Sequence, residues 1–185
     1  GRNGGFLVTG TADGYGGMVA QVGRDDARDL WRLASEGTRL ATEVIADEGI
    51  DCDFRTPGTL SLSLTPESFA ETQRHAAMMR EDGFPGEVLD RQGVQELIKT
   101  PLGPEITGGA YSAEGGQLHS ARYLAGIAAA AKRHGATLCL AAVTALVPDG
   151  DGVRVETSAG SIQAGRVIVA INAWSDELVP GVAGL

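Results

Sequence analysis

The fold is decided by Ser120–Leu140, SARYLAGIAAAAKRHGATLCL, taken with residues 143–170 that follow it. Ser120 sits where an N-cap belongs, and Leu124, Ile127, Ala128 and Ala131 recur at helical spacing. Lys132 and Arg133 complement the negative end of the helix dipole, and Gly135 stops it. Thr137–Leu140 then reads as a buried strand. Val143–Val147 and Gly152–Thr157 flank Pro148-Asp149-Gly150-Asp151, a hairpin connection, and Ser158-Ala159-Gly160 turns the chain into Ser161–Ala164. Arg166–Ala170 is a continuous apolar run, the pattern of a parallel strand covered on both faces. Helix, strand, three-stranded meander and buried strand in that order predict an α/β protein. Leu124 and Ile127 are expected to pack on the Thr137–Leu140 and Arg166–Ala170 strands.

Upstream, Asp25 and Asp26 open a long amphipathic helix with Leu30, Leu33, Ala34, Leu40, Ala41, Val44 and Ile45 on its core face, ended by Gly49. Strands are expected at Asp53–Arg55, Gly58–Leu64 and Gly108–Ser112, and a short extended stretch at Glu87–Leu89. Thr65-Pro66 starts a helix that Gly83 stops, and Asp90 caps a short one with Val94, Leu97 and Ile98 inward. Residues 1–23 are rich in glycine and read as loop, with a short strand around Phe6–Thr9. These patterns divide the chain into a loop region at 1–23, an α+β lobe at 24–114, and a lobe at 115–185 holding part of a parallel sheet and the meander.

Composition narrows the function. At 185 residues with 43% hydrophobic content the chain can bury a core. A formal charge of −9 argues against nucleic acid or an anionic membrane surface as partner. No apolar run reaches the roughly 20 residues that span a bilayer. Cys52 and Cys139 have no metal or disulfide spacing and read as buried free thiols of a reducing, cytoplasmic setting. The abrupt start at Gly1-Arg2-Asn3-Gly4-Gly5 suggests a fragment.

Several short motifs could carry chemistry. Arg2-Asn3-Gly4-Gly5 is either a loop whose backbone approaches a flat or anionic ligand, or a frayed end. His119, in Gly115–Tyr123, is either a general base or donor, or a helix cap. Arg55 and Tyr111 are candidates for gripping a substrate carboxylate, or a surface arginine and a strand tyrosine. Ala170, Asn172, Ala173 and Trp174 follow a strand end, where open α/β sheets bind ligands; alternatively Trp174 merely packs. A catalytic triad and paired carboxylates are both missing. The nearest approach to G-x-G-x-x-G, at Gly14-Tyr15-Gly16-Gly17, has Val19 at the third glycine and no preceding strand, which disfavours a nicotinamide dehydrogenase.

Taken together, Gly1–Gly5, Gly49–Arg55 with Gly58-Thr59-Leu60, Gly115–Tyr123 and Val169–Trp174 resemble the D-amino-acid-oxidase-like FAD-dependent oxidoreductases. That family includes glycine oxidase, sarcosine oxidase, D-amino-acid dehydrogenase and gamma-glutamylputrescine oxidase. The resemblance implies FAD, with Arg2, Asn3, Gly4 and Gly5 against the flavin, Val143 at the adenine, and Ala170, Asn172, Ala173 and Trp174 approaching the dinucleotide. It implies a small amine or amino-acid substrate oxidised at a C–N bond, with Arg55, Tyr111 and His119 on the substrate side, while no catalytic base is identified. The family's phosphate turn and acidic ribose partner are not found in these residues. The chain by itself is therefore expected neither to retain FAD nor to turn over, and its sheet edge is open to pairing as a homodimer. The competing expectation is a non-catalytic binding module.

Overall fold

The computed structural model describes residues 3–11, 13–171, 174–175 and 178–179. The chain divides into two compact units, Gly1–Gly135 and Ala136–Leu185. The composition shift at Gly115-Gly116, read as the start of a lobe at residue 115, lies inside the first unit.

The first unit begins with β1 (Phe6–Leu7), followed by two helices, α1 (Gly14–Val22) and α2 (Arg24–Asp47). Next come β2 (Thr59–Ser63), α3 (Pro66–Glu81), β3 (Glu87–Asp90) and α4 (Arg91–Leu97). β4 (Gly108–Ser112), β5 (Gly116–Gln117) and α5 (Ser120–Arg133) complete it. The expected caps form. The Thr65 hydroxyl accepts from the Ser68 amide at 3.1 Å, with Pro66 in the first turn, and the Asp90 carboxylate accepts from the Gly93 amide at 2.8 Å.

Two sheets organise this unit. One is the antiparallel order β2-β4-β3; the other pairs β1 with β5, and Arg55 bridges to Gln117. In the larger sheet Thr59 faces Ser112, Ser61 faces Ala110 and Ser63 faces Gly108, while Leu60 pairs with Tyr111 and Leu62 with Gly109. Side chains alternate across a strand, so the hydroxyls share one face and the leucines the other. The hydroxyl face meets α3, because the Ser63 and Thr72 hydroxyls lie 3.0 Å apart. Leu62 is 41% exposed on the opposite face.

Two clusters supply the core. Tyr15, Met18, Ala27 and Trp31 pack together with Phe84, and the rings of Tyr15 meet Trp31 and Phe84 edge-on at 5.3 and 5.5 Å between centroids. The second, smaller cluster joins Ile45, Ile50 and Cys52 with Tyr123 and Ile127. Three expectations are corrected here. Residues 14–22 form a helix although Gly14, Gly16 and Gly17 disfavour one, because Tyr15 and Met18 anchor it in the first cluster. The buried face of α2 is Ala27, Trp31, Thr38 and Ile45, whereas Leu30, Leu33 and Leu40 are exposed. On α4, Val94 is buried but Leu97 points outward.

The second unit is the antiparallel meander β6 (Val143–Asp149), β7 (Gly152–Thr157) and β8 (Gly160–Ala164). Thr137–Leu140 and Arg166–Ala170 carry no ladder, and every sheet among the described residues is antiparallel. A buried parallel strand exists only between neighbours, and the described residues supply none for either run. Leu124 is exposed, and Ile127 packs on the Ile45 cluster. Cys52 is buried as expected, but Cys139 is exposed.

Candidate functional site

The glycine loop is built into the small sheet of the first unit. The Asn3 side-chain oxygen accepts from the Gly5 amide at 3.0 Å and from the Ser120 hydroxyl at 2.5 Å, and the Gly5 carbonyl accepts from the Leu118 amide at 2.7 Å. Gly5 has φ +74°, and a Cβ there would strike the Leu118 carbonyl, so only glycine fits. Gly116 is held the same way against the Arg55 carbonyl. Gly4 is exposed, and the Phe6 ring lies where a Cβ on Gly4 would point.

His119 lies beside this loop as the N-cap residue of α5. Its Nδ1 accepts from the Arg122 amide at 3.4 Å, and its own amide donates to the Cys52 carbonyl at 2.7 Å. The cap is therefore His119 and not Ser120. Arg55 joins Gln117 through two backbone hydrogen bonds of 2.9 Å, and its side chain is exposed.

A cavity of about 370 Å³ opens on the hydroxyl face of the larger sheet. Thr59, Ser61 and Ser112 line it from the sheet, Thr72 and His75 from α3, and Tyr15 and Trp31 from the core. Val8, Thr9 and Thr11 close one side, directly after β1, and Glu114 comes from the β4–β5 turn. Tyr111 lines the cavity's edge, while the register sets it on the leucine face, where its hydroxyl donates to the Pro57 carbonyl at 3.4 Å. Gly58, at φ +81°, leaves room for that ring.

An ion-pair hub holds Tyr15, one of the lining residues. The Tyr15 hydroxyl donates to Asp82 at 2.6 Å, and the Arg24 guanidinium reaches the same carboxylate at 2.9 Å and Glu81 at 2.8 Å. Arg24 and then Tyr15, by hydrogen bonding, hold the Asp82 carboxyl below the usual carboxylate range. Burial, reinforced by the bond to Asp82, pushes the Tyr15 hydroxyl up to about 12. Burial also raises the Cys52 thiol, which keeps it protonated and a poor nucleophile. No group of His, Cys, Asp and Glu suited to a metal occurs among the described residues, and none of their helices is long and apolar enough to cross a membrane.

In the second unit, Val143 and Ala170 come together. Both line an aliphatic cleft of about 320 Å³ with Leu146, Val155, Val167 and Ile168. Trp174 is exposed, in a short turn with Ser175. Arg2, Asn172 and Ala173 lie outside the described residues.

Tyr111 is thus the one sequence-derived substrate candidate at the cavity; Arg55 and His119 do not line it. Sequence reasoning missed His75, Glu114 and the Tyr15–Asp82–Arg24 hub. Their partners come from separate segments, and no local spacing announces them.

Residues 1–185 match the DAO family, described as FAD dependent oxidoreductase. Gamma-glutamylputrescine oxidoreductase of Escherichia coli is 30% identical over 99% of this chain and 42% of its own length. Glycine oxidase of Geobacillus kaustophilus is 28% identical over 94% of this chain and 48% of its own length. The crystal structure of glycine oxidase from that organism superposes with a TM-score of 0.67 at 25% identity, over 95% of this chain and 45% of that one. A mouse protein named as the mitochondrial pyruvate dehydrogenase phosphatase regulatory subunit is 23% identical over 80% of this chain and 17% of its own. The chain thus spans less than half the length of these relatives, and across all of its residues it belongs to the family of FAD-dependent oxidoreductases.

Proposed function

We propose that this chain forms the substrate-side part of an enzyme that oxidises a C–N bond of a small amine or amino acid, with FAD as hydride acceptor. The observation that carries the reading is the single run Asn3–Thr11. It begins in the glycine loop and ends in the cavity wall at Val8, Thr9 and Thr11. A ligand-sized cavity beside a loop with an open backbone is the expected arrangement for binding a substrate next to a flat cofactor.

The residues present fit such a cofactor in part. Gly4 offers an exposed backbone without a side chain, and the aliphatic cleft of Val143 and Ala170 suits a flat apolar ring. That cleft presents no side-chain donor for a phosphate. Asn3, Gly4, Gly5 and Arg2 are the proposed flavin contacts of the first unit. Val143, Ala170, Asn172, Ala173 and Trp174 are those of the second. When bound, FAD supplies a two-electron acceptor, and the protein supplies orientation and electrostatics. The substrate would lose a hydride from carbon and a proton from nitrogen, leaving an imine for water to hydrolyse. Tyr111 is proposed to position the substrate at the cavity edge, and Arg55 and His119 to act through the sheet and helix they hold.

A second reading, binding without catalysis, draws on the relative named as a regulatory subunit. One experiment separates the two. The whole protein, purified with its flavin, is made anaerobic and offered a panel of small amines and amino acids. Loss of the oxidised-flavin band at roughly 450 nm supports the oxidase reading. A protein without that band, or one whose band no member of the panel removes, supports the second.

A further inference from the structure

We infer that the cavity selects the positively charged end of its ligand, a short alkylammonium group, and that Glu114 is the residue that recognises the charge. This rests on the reading of the cavity as a substrate pocket. Its lining includes two carboxylates, Glu87 and Glu114, and no lysine or arginine; Glu87 pairs in register with Tyr111, on the leucine face of the sheet. The Thr9 hydroxyl, also in the lining, donates to the Glu114 carboxylate at 3.2 Å and holds it at the rim. No cation pairs with Glu114 among the described residues, in contrast to Asp82, Glu81 and Asp53, each of which is met by an arginine.

The rest of the lining suits the remainder of such a ligand. Trp31 and Tyr15 present aromatic rings, whose negative faces attract ammonium groups. Thr59, Ser61, Thr72 and Ser112 offer hydroxyl oxygens that accept from N–H donors. Val8, Ala76 and Met79 give apolar surface for a short alkyl chain. An anionic end would face the Glu114 charge with no opposing cation in this lining.

The test is calorimetric titration of the whole protein with n-butylammonium chloride and with n-butanol, which has similar shape and no charge. The wild type should bind butylammonium more tightly than butanol, and rising salt should weaken only the ammonium. Glu114→Gln keeps an acceptor for Thr9, so the turn should stay folded. It should weaken butylammonium about tenfold at low ionic strength and leave butanol unchanged. Equal affinity for the two probes, or an ammonium affinity indifferent to Glu114→Gln, overturns the inference even if the flavin assay succeeds. Charge discrimination that depends on Glu114 supports it even if no amine reduces the flavin, in which case only the oxidase reading falls.

Discussion

The two units bury their apolar residues to different degrees. In the first, Trp31, Tyr15, Ile45 and Val94 are closed off, and the aromatic cluster rests on an ion-pair hub whose Asp82 side chain is 6% exposed. In the second, the meander satisfies its backbone hydrogen bonds, yet Ile168 is 92% exposed and Leu140 wholly so. Hydrogen bonding along a hairpin is local and can be completed by three adjacent strands. Apolar burial is not local: it needs a second layer or flanking strands. A run can therefore have a core strand's composition and still leave a residue such as Ile168 exposed.

The sharpest way to break this contrast is a pair of truncations. Trp31→Ala should destabilise the first unit by about 3–5 kcal/mol, through lost burial and the void left beside Tyr15 and Phe84. Ile168→Ala should stay within about 0.5 kcal/mol, as for an exposed site. Urea denaturation measures both, and equal effects would erase the distinction. Ile127→Ala lies between them. Half-buried on the Ile45 cluster, it should cost about 1–2 kcal/mol, at or below the low end for a core isoleucine.

Arg2→Ala tests whether the glycine loop serves ligand rather than core. It should lower turnover or flavin affinity of the whole protein about tenfold, as expected for one charged hydrogen bond, with little change in denaturation midpoint. Unchanged kinetics would remove Arg2 from the site.

The hub gives the first unit a pH signature. Asp82 has a folded pKa below its unfolded value of about 3.9. Its stabilising contribution is fully present above that value and is lost as pH falls through the folded pKa. Tyr15 has the opposite sense. Its folded pKa near 12 exceeds the unfolded value of about 10, so its contribution is present below pH 10 and is lost between there and about 12. Thermal melts across both windows should show these losses, and Asp82→Asn should flatten the acid limb. An acid limb unaltered in that variant would show that other carboxylates set it.

Much of the fold was legible because its signals are local. Thr65-Pro66, Asp90 and the glycines at 49, 83 and 135 bound helices whatever the surroundings, and the Leu60/Leu62 alternation marks a strand. What was not legible depends on partners. The helix at Gly14–Val22 is held by Trp31 and Phe84, not by its own propensity. The leucines of α2 and β2 announce amphipathicity but not which face is covered. Of the candidate site, the glycine loop and Tyr111 were marked by motif and residue type. Glu114 was not, because its meaning comes from Thr9, over a hundred residues earlier in the chain.

Amide hydrogen exchange, resolved by residue, tests the contrast most directly. The amides of α2, α3 and the β2-β4-β3 sheet should be among the slowest, those of β6–β8 in an intermediate range, and those of residues 166–170 near the rate of unstructured chain. Protection at 166–170 equal to that of α2 would contradict it, and would show that the second unit closes a core of its own.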